Sequence, residues 1–183
     1  MLTEKQFLFL REAALQLRHA VDAIETFKKL QAEKGRPLWL FKALDDFIDH
    51  AARAAAIFWP SEMKGKTKYQ ARGLDLRALV ALDDRNPLHN SALRNRLQHF
   101  DENLEDWLSK PQTEAHIGDL CIDSKVTING NRVYGLREFV SQEMIYVFQG
   151  REFPIAPMEA AARDLIAKIE ALPIHPLGSL KLA

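Results

Sequence analysis

The 183-residue chain has a single cysteine, Cys121. It therefore makes no internal disulfide and offers no second thiol for a metal or redox motif, which fits a reducing compartment. A cytoplasmic location is the expectation. No stretch approaches the roughly eighteen uninterrupted apolar residues of a membrane-spanning helix, so no membrane is expected among its partners. The start, Met1-Leu2-Thr3-Glu4-Lys5-Gln6, lacks the basic residues, apolar run and small-residue cleavage site of a signal peptide. Net charge is also missing: Lys plus Arg equal Asp plus Glu at 25 each. No overall field draws the protein to a polyanion, so any such site must be local. The chain has no Gly-rich phosphate loop, nucleophile elbow or paired metal-ligand motif, which leaves kinase, hydrolase and dinucleotide-binding readings without residues to stand on. No cofactor and no metal are expected.

What the chain has is apolar content, 47% hydrophobic and 9% aromatic residues, enough for one domain to bury a core. Thr3 reads as an N-cap, and Phe7, Leu10, Ala14, Leu17, Val21, Ile24, Phe27 and Leu30 carry a helical period to about Glu33. Gly35, Arg36 and Pro37 stop this helix. A second starts near Leu38, burying Leu40, Phe41, Leu44, Phe47, Ile48, Ala51, Ala55 and Phe58, and ends at Pro60.

Residues 61–73 hold Lys64, Lys66, Lys68 and Arg72 against Glu62 and read as a basic surface loop, a solvated connector or else a phosphate-contacting flap. Residues 75–84 read as a short helix with Leu76, Leu79, Val80 and Leu82 inward. Asn86-Pro87 supplies an N-cap and a first-position proline for a further helix, which Lys110-Pro111 closes.

The pattern then shortens to strands at 117–122 and 126–128, with Asn129-Gly130 as a type I′ turn before Val133 and Tyr134. A helical turn is expected at 136–141, and strands at 144–149 and 152–155. Pro157 opens a last helix to 172 with Ala161, Leu165, Ile166 and Ile169 inward. The fold class is mainly α: an antiparallel helical bundle over about 1–110 plus 158–172, with a small antiparallel β appendage at about 115–156, all within one domain of residues 1–183.

The stretch 93–108 stands out. Leu93, Leu97, Phe100, Leu104, Trp107 and Leu108 recur at three and four, forming one apolar helical stripe. Asn95 and His99 fall one turn apart on the opposite side, with Arg94 at the flank. These are groups that hold a phosphate and move a proton. At these residues the sequence resembles the HEPN superfamily, whose signature is an arginine, a polar residue and then a histidine a few positions on, all on one helix. The resemblance implies a helical bundle and metal-independent cleavage of RNA, with His99 taking the proton of the ribose 2′-hydroxyl, Arg94 steadying the phosphate and Asn95 orienting one or both. It also implies a homodimer in which two motif helices line a shared cleft. The partners implied are RNA and a cognate antitoxin or other protein, the enzyme being a toxin or defence component. A non-catalytic HEPN-like module that dimerises or binds a nucleotide or partner is the alternative.

Asp101 and Glu102 lie within a turn of His99, where they can orient the imidazole and raise its pKa, yet would repel a phosphate. Asp46 and His50 share a face beside Asp45 and Asp49, but two ligands on one helix fall short of the three of a catalytic zinc site. That cluster reads as a solvated helix face. His19, His89, His116 and His175 have no partner at metal spacing.

Overall fold

The computed structural model describes residues 2–60, 67–90, 92–93, 100–109, 117–123, 127–128, 131–132 and 134–173. Among these, the helices are α1 (Glu4–Ala32), α2 (Pro37–Phe58), α3 (Thr67–Leu79), α4 (Phe100–Leu108) and α5 (Ile155–Glu170). The protein is mainly helical, with a small mixed sheet near the C-terminus.

Helix α1 starts where the sequence places it. The Thr3 hydroxyl accepts from the Gln6 N–H at 3.2 Å, and the Gln6 side chain accepts from the Thr3 N–H at 2.9 Å, so two orphan donors of the first turn are satisfied reciprocally. It ends with Lys34 in the left-handed region (φ 53°) and the Gly35 N–H bonded back to the Leu30 carbonyl at 2.7 Å. Pro37, fixed in φ and lacking an N–H, then occupies the first position of α2. The short connection makes α1 and α2 antiparallel neighbours: Gln16 and His19 meet His50, while Phe27 and Gln31 lie beside Leu40 and Phe41. All eight positions expected to be buried on α2 are buried. On α1 the buried set also contains Ala13 and Ala20, so the apolar arc is wider than the expected stripe.

Helix α5 lies antiparallel to α1 on another side. Arg18 pairs with Glu170 at 2.6 Å, and Lys28 with Glu159 at 2.8 Å, so the early part of one meets the late part of the other. Ile155, Met158, Ala161, Ala162, Leu165 and Ile169 form its inner face. The helix begins at Ile155, two residues before Pro157, because a proline within the first turn gives up no helical hydrogen bond.

The sheet corrects the antiparallel expectation. Its strands are β1 (Ile117–Ile122), β4 (Tyr134–Val140), β5 (Ile145–Phe148) and β6 (Arg151–Pro154), in the order β1-β4-β5-β6, with β1 parallel to β4 and the other pairs antiparallel. The short strands β2 (Thr127–Ile128) and β3 (Asn131–Arg132) pair antiparallel; the turn expected at Asn129-Gly130 lies outside the described residues. Parallel pairing follows from where the chain goes after β1. A segment that carries its own hairpin returns to lay β4 alongside β1 in the same direction, as parallel pairs need a crossover.

The helical turn expected at 136–141 is instead the central strand β4. Leu136, Arg137 and Glu138 suit a helix locally, but pairing on both edges overrides that preference. Nor is the sheet an appendage: Phe139, Tyr146, Phe148 and Phe153 belong to the same buried cluster as the helices. The Phe139 ring meets Phe27 of α1 edge to face, centroids 4.8 Å apart. Asp45 of α2 accepts from Arg137 Nε at 3.0 Å and from the Tyr146 hydroxyl, tying helix to sheet through polar groups.

The basic loop expected at 61–73 is a helix from Thr67 onward. Gly73 explains how α3 approaches α2: a Cβ there would stand 2.5 Å from the Phe58 carbonyl oxygen and 2.7 Å from Pro60 Cδ. In an exposed helix interior, Gly→Ala gains about 1 kcal/mol from propensity. At this position the clash wins, so Gly73→Ala should destabilise the protein, by about 1–3 kcal/mol on the scale of overpacking. Urea denaturation measures this; a variant as stable as the parent would refute the close approach.

Candidate functional site

Arg94, Asn95 and His99, together with Lys64 and Lys66, lie outside the described residues. The structure does describe the frame on either side of the motif. Asn86 does not cap a helix as the sequence suggested. Its side chain accepts from the Leu88 N–H at 2.9 Å and its carbonyl from the His89 N–H at 2.8 Å, which closes a turn. The helical start falls at Asn90, whose side chain accepts from the Ala92 N–H at 2.8 Å and whose carbonyl accepts from the Leu93 N–H at 3.1 Å. Leu88 and Leu93 are fully buried, so the chain enters the motif from a fixed point.

On the far side, Trp107 is buried and Leu104 half-buried, in keeping with the apolar stripe. Leu108, expected on that stripe, is 45% exposed. It sits about 100° round the helix from the buried Trp107. Gln149 and Gly150 both have positive φ (50° and 72°), as a type I′ hairpin between β5 and β6 demands. A Cβ on Gly150 would lie 3.6 Å from the Trp107 ring, and Arg151 Nη2 donates to Asn103 Oδ1 at 2.8 Å. Helix α4 is therefore clamped on this hairpin, and Asn103 works within the chain. Asp101, Glu102, Glu105 and Asp106 are all exposed, which makes the outer surface of α4 acidic.

Of the four basic residues proposed for phosphate, Lys68 and Arg72 are described, one turn apart on α3. The Arg72 guanidinium stacks over the Phe9 ring, 4.4 Å from its centroid, with Nε buried and lacking a hydrogen-bond partner among the described residues. It packs α3 against α1. Lys68 is exposed, its ammonium 5.0 Å from the centroid of the Tyr69 ring.

Two histidines that lacked partners in the sequence have them in the fold. His89 stacks on the Trp59 indole (4.8 Å, 6°), and its Nδ1 lies 3.0 Å from the Asp84 carbonyl, an acceptor, so Nδ1 carries a hydrogen. The Asp84 carboxylate accepts from Trp59 Nε1 at 2.8 Å, and Arg77 Nε lies 3.8 Å from it. Only the tertiary path brings Trp59 and Asp84 together, and no residue spacing announces it. His116 and His175 lie outside the described residues.

His19 and His50 face each other across α1 and α2 with centroids 5.1 Å apart, and His50 Nδ1 donates to Gln16 Oε1 at 2.8 Å. The acidic neighbours are spent elsewhere: Asp45 on Arg137 and Tyr146, and Asp46 on Lys42. Among the described residues, no three His, Cys, Asp or Glu side chains are grouped to hold a metal ion. None of the described helices is long and apolar enough to cross a membrane.

Comparison of the chain with known protein families, with curated proteins and with solved structures finds no match in any of the three.

Burial holds the His50 pKa below the ordinary imidazole value, helped by the positive charge of His19 and Arg53 and opposed by Asp46 and Asp49. An unfolded chain takes up this proton near pH 6.5, while the folded one resists it to a lower pH. Between the two values the unfolded state binds more protons, so stability should fall as pH drops through about 6.5 and level off below the folded pKa. Denaturation midpoints at pH 7.5 and 5.5 test this: His50→Gln should flatten the difference, and an unchanged difference would assign the loss to other groups.

Proposed function

We propose that the protein is a HEPN-type, metal-independent endoribonuclease, a toxin or defence component, built as a single HEPN-like domain whose site is completed by homodimerisation. One observation carries the reading: Arg94, Asn95 and His99 fall at the motif spacing between Leu93 and Trp107, two residues buried in the core. Proton transfer at a phosphate needs an imidazole and a guanidinium close together, and the motif spacing supplies both residue types. The mainly helical fold supports the reading at the coarse level.

The chemistry assigned is internal transesterification. His99 removes the proton of the ribose 2′-hydroxyl, and the 2′-oxygen attacks the adjacent phosphorus. The bond to the 5′-oxygen breaks, that oxygen takes a proton, and the products are a 2′,3′-cyclic phosphate and a free 5′-hydroxyl. Arg94 offers a permanently charged fork of donors to the phosphate oxygens as charge builds, and Asn95 orients the imidazole, the phosphate or both. A convex helix face leaves substrate and water unrestrained, so a second copy across a two-fold axis is needed to form a cleft.

The exposed carboxylates of α4 favour a second reading. Asp101, Glu102, Glu105 and Asp106 repel a phosphate backbone, and the chain has no net positive charge to offset them. On that reading the domain is a non-catalytic HEPN-like dimer that binds a nucleotide or a protein partner such as an antitoxin.

In light scattering at micromolar concentration the protein should run at twice the chain mass; a monomer there would remove the composite site.

His99→Ala should abolish RNA cleavage, and Arg94→Ala should cost about 3–4 kcal/mol of transition-state stabilisation, on the scale of losing one preorganised donor. Both variants should keep the parental circular dichroism. Chelator should leave the rate unchanged, since the assigned roles need no metal. Cleavage by His99→Ala at the parental rate would overturn these roles, and a dimer inert toward every RNA would favour the binding module.

A further inference from the structure

The corner between α1 and α2 presents an aromatic and several cations that the fold does not use. Leu38 is 62% exposed and Trp39 is 50% exposed, whereas the other two tryptophans, Trp59 and Trp107, are at 8% and 4%. Leu38 and Trp39 point away from the buried arc of α2 that runs through Leu40, Phe41 and Leu44, so the fold gains little from either side chain. Arg36 stands one turn before Trp39, whose N–H donates to the Arg36 carbonyl at 3.0 Å. The two residues are thus held close together in the backbone at the start of α2.

Lys29, Lys34 and Arg36 are exposed and have no ion-pair partner among the described residues. By contrast, Arg18, Lys28, Lys42, Arg163 and Lys168 are each paired with a carboxylate. From residue 29 to residue 39, Glu33 is the single acidic residue set against these three cations. In a chain without net charge this is a local positive surface with an unused indole in it.

We propose that this corner is a subsite for single-stranded RNA, in which a base stacks on Trp39 while Lys34 and Arg36 contact the flanking phosphates. It rests on the ribonuclease reading and names where the substrate strand is held outside the chemistry. Stacking on an exposed aromatic beside a basic groove is the sequence-tolerant way to hold a single strand. The geometry favours a strand over a lipid surface. A membrane-seated helix needs a broad apolar face, and here Leu38 and Trp39 diverge by about 100° with Lys42 one turn beyond Leu38. The corner is also preorganised by the bond from Gly35 to the Leu30 carbonyl and by Pro37.

The test is fluorescence anisotropy with a labelled, 2′-O-methylated twelve-nucleotide RNA, which binds without being cleaved. Trp39→Ala should weaken binding tenfold or more, on the scale of one lost base stack. Arg36→Ala should weaken it and lower the salt dependence by about one phosphate contact. Lys34→Gly should do the same while keeping or raising thermal stability, because glycine suits the left-handed backbone at that position. Equal binding by Trp39→Ala and the parent overturns the subsite, and so does failure of the parent to bind the RNA. Loss of sedimentation with phosphatidylserine vesicles in Trp39→Ala, with RNA binding intact, overturns it in favour of a lipid surface. If Trp39-dependent binding is found but the parent cleaves no RNA, the subsite stands and the ribonuclease reading fails. If cleavage depends on His99 and binding ignores Trp39, the reverse holds.

Discussion

Helix α1 is buried on more than one side. Leu10, Ala14, Leu17 and Ile24 form the middle of its buried arc, Ala13 and Ala20 widen it, and Phe27 reaches the sheet through Phe139. At about 1.5–3 kcal/mol for each large apolar side chain removed from water, this one helix contributes a substantial part of the stabilising burial. Helices α2 and α5 both lie along it, and Phe139, Tyr146, Phe148 and Phe153 close the same core from the sheet. Most of what positions the remaining elements refers back to this arrangement.

The sheet in turn positions α4. The type I′ turn at Gln149-Gly150 brings a residue without a Cβ under the Trp107 ring, and Arg151 reaches Asn103 from the same hairpin. The downstream side of the motif is thus held by strands that lie some forty positions later in the chain. Its upstream side is held by the turn from Asn86 to Asn90 and by the buried Leu88 and Leu93. A substitution in the β5–β6 hairpin therefore acts on α4 through Trp107.

Charge is distributed to the same end. Arg18, Lys28 and Arg163 pair across the α1–α5 interface, where Lys28 and Arg163 converge on Glu159. Burial pushes the Glu159 carboxyl up, but hydrogen bonds from Lys28 and Arg163 more than offset it and hold its pKa below the usual value. The outer side of α4 is acidic. At the α1–α2 corner, Lys29, Lys34 and Arg36 have no ion-pair partner among the described residues.

The sequence by itself determined the long helices. Period-3.6 patterns on α1 and α2 and the Thr3 N-cap depend on contacts within a few residues, and the structure keeps them. It also determined that Arg94, Asn95 and His99 fall at the motif spacing. Tertiary structure decided the rest. Residues 136–141 have side chains that suit a helix, and only pairing with β1 and β5 makes them a strand. The parallel direction of β1 depends on a crossover that no local pattern records. Asn86 and Asn90 are both competent caps, and the burial of Leu93 favours the second. Arg72 carries a charge suited to a phosphate, and only the fold places the Phe9 ring under it. In each case the deciding partner is remote in sequence, and local spacing carries no information about a neighbour supplied by the path of the chain.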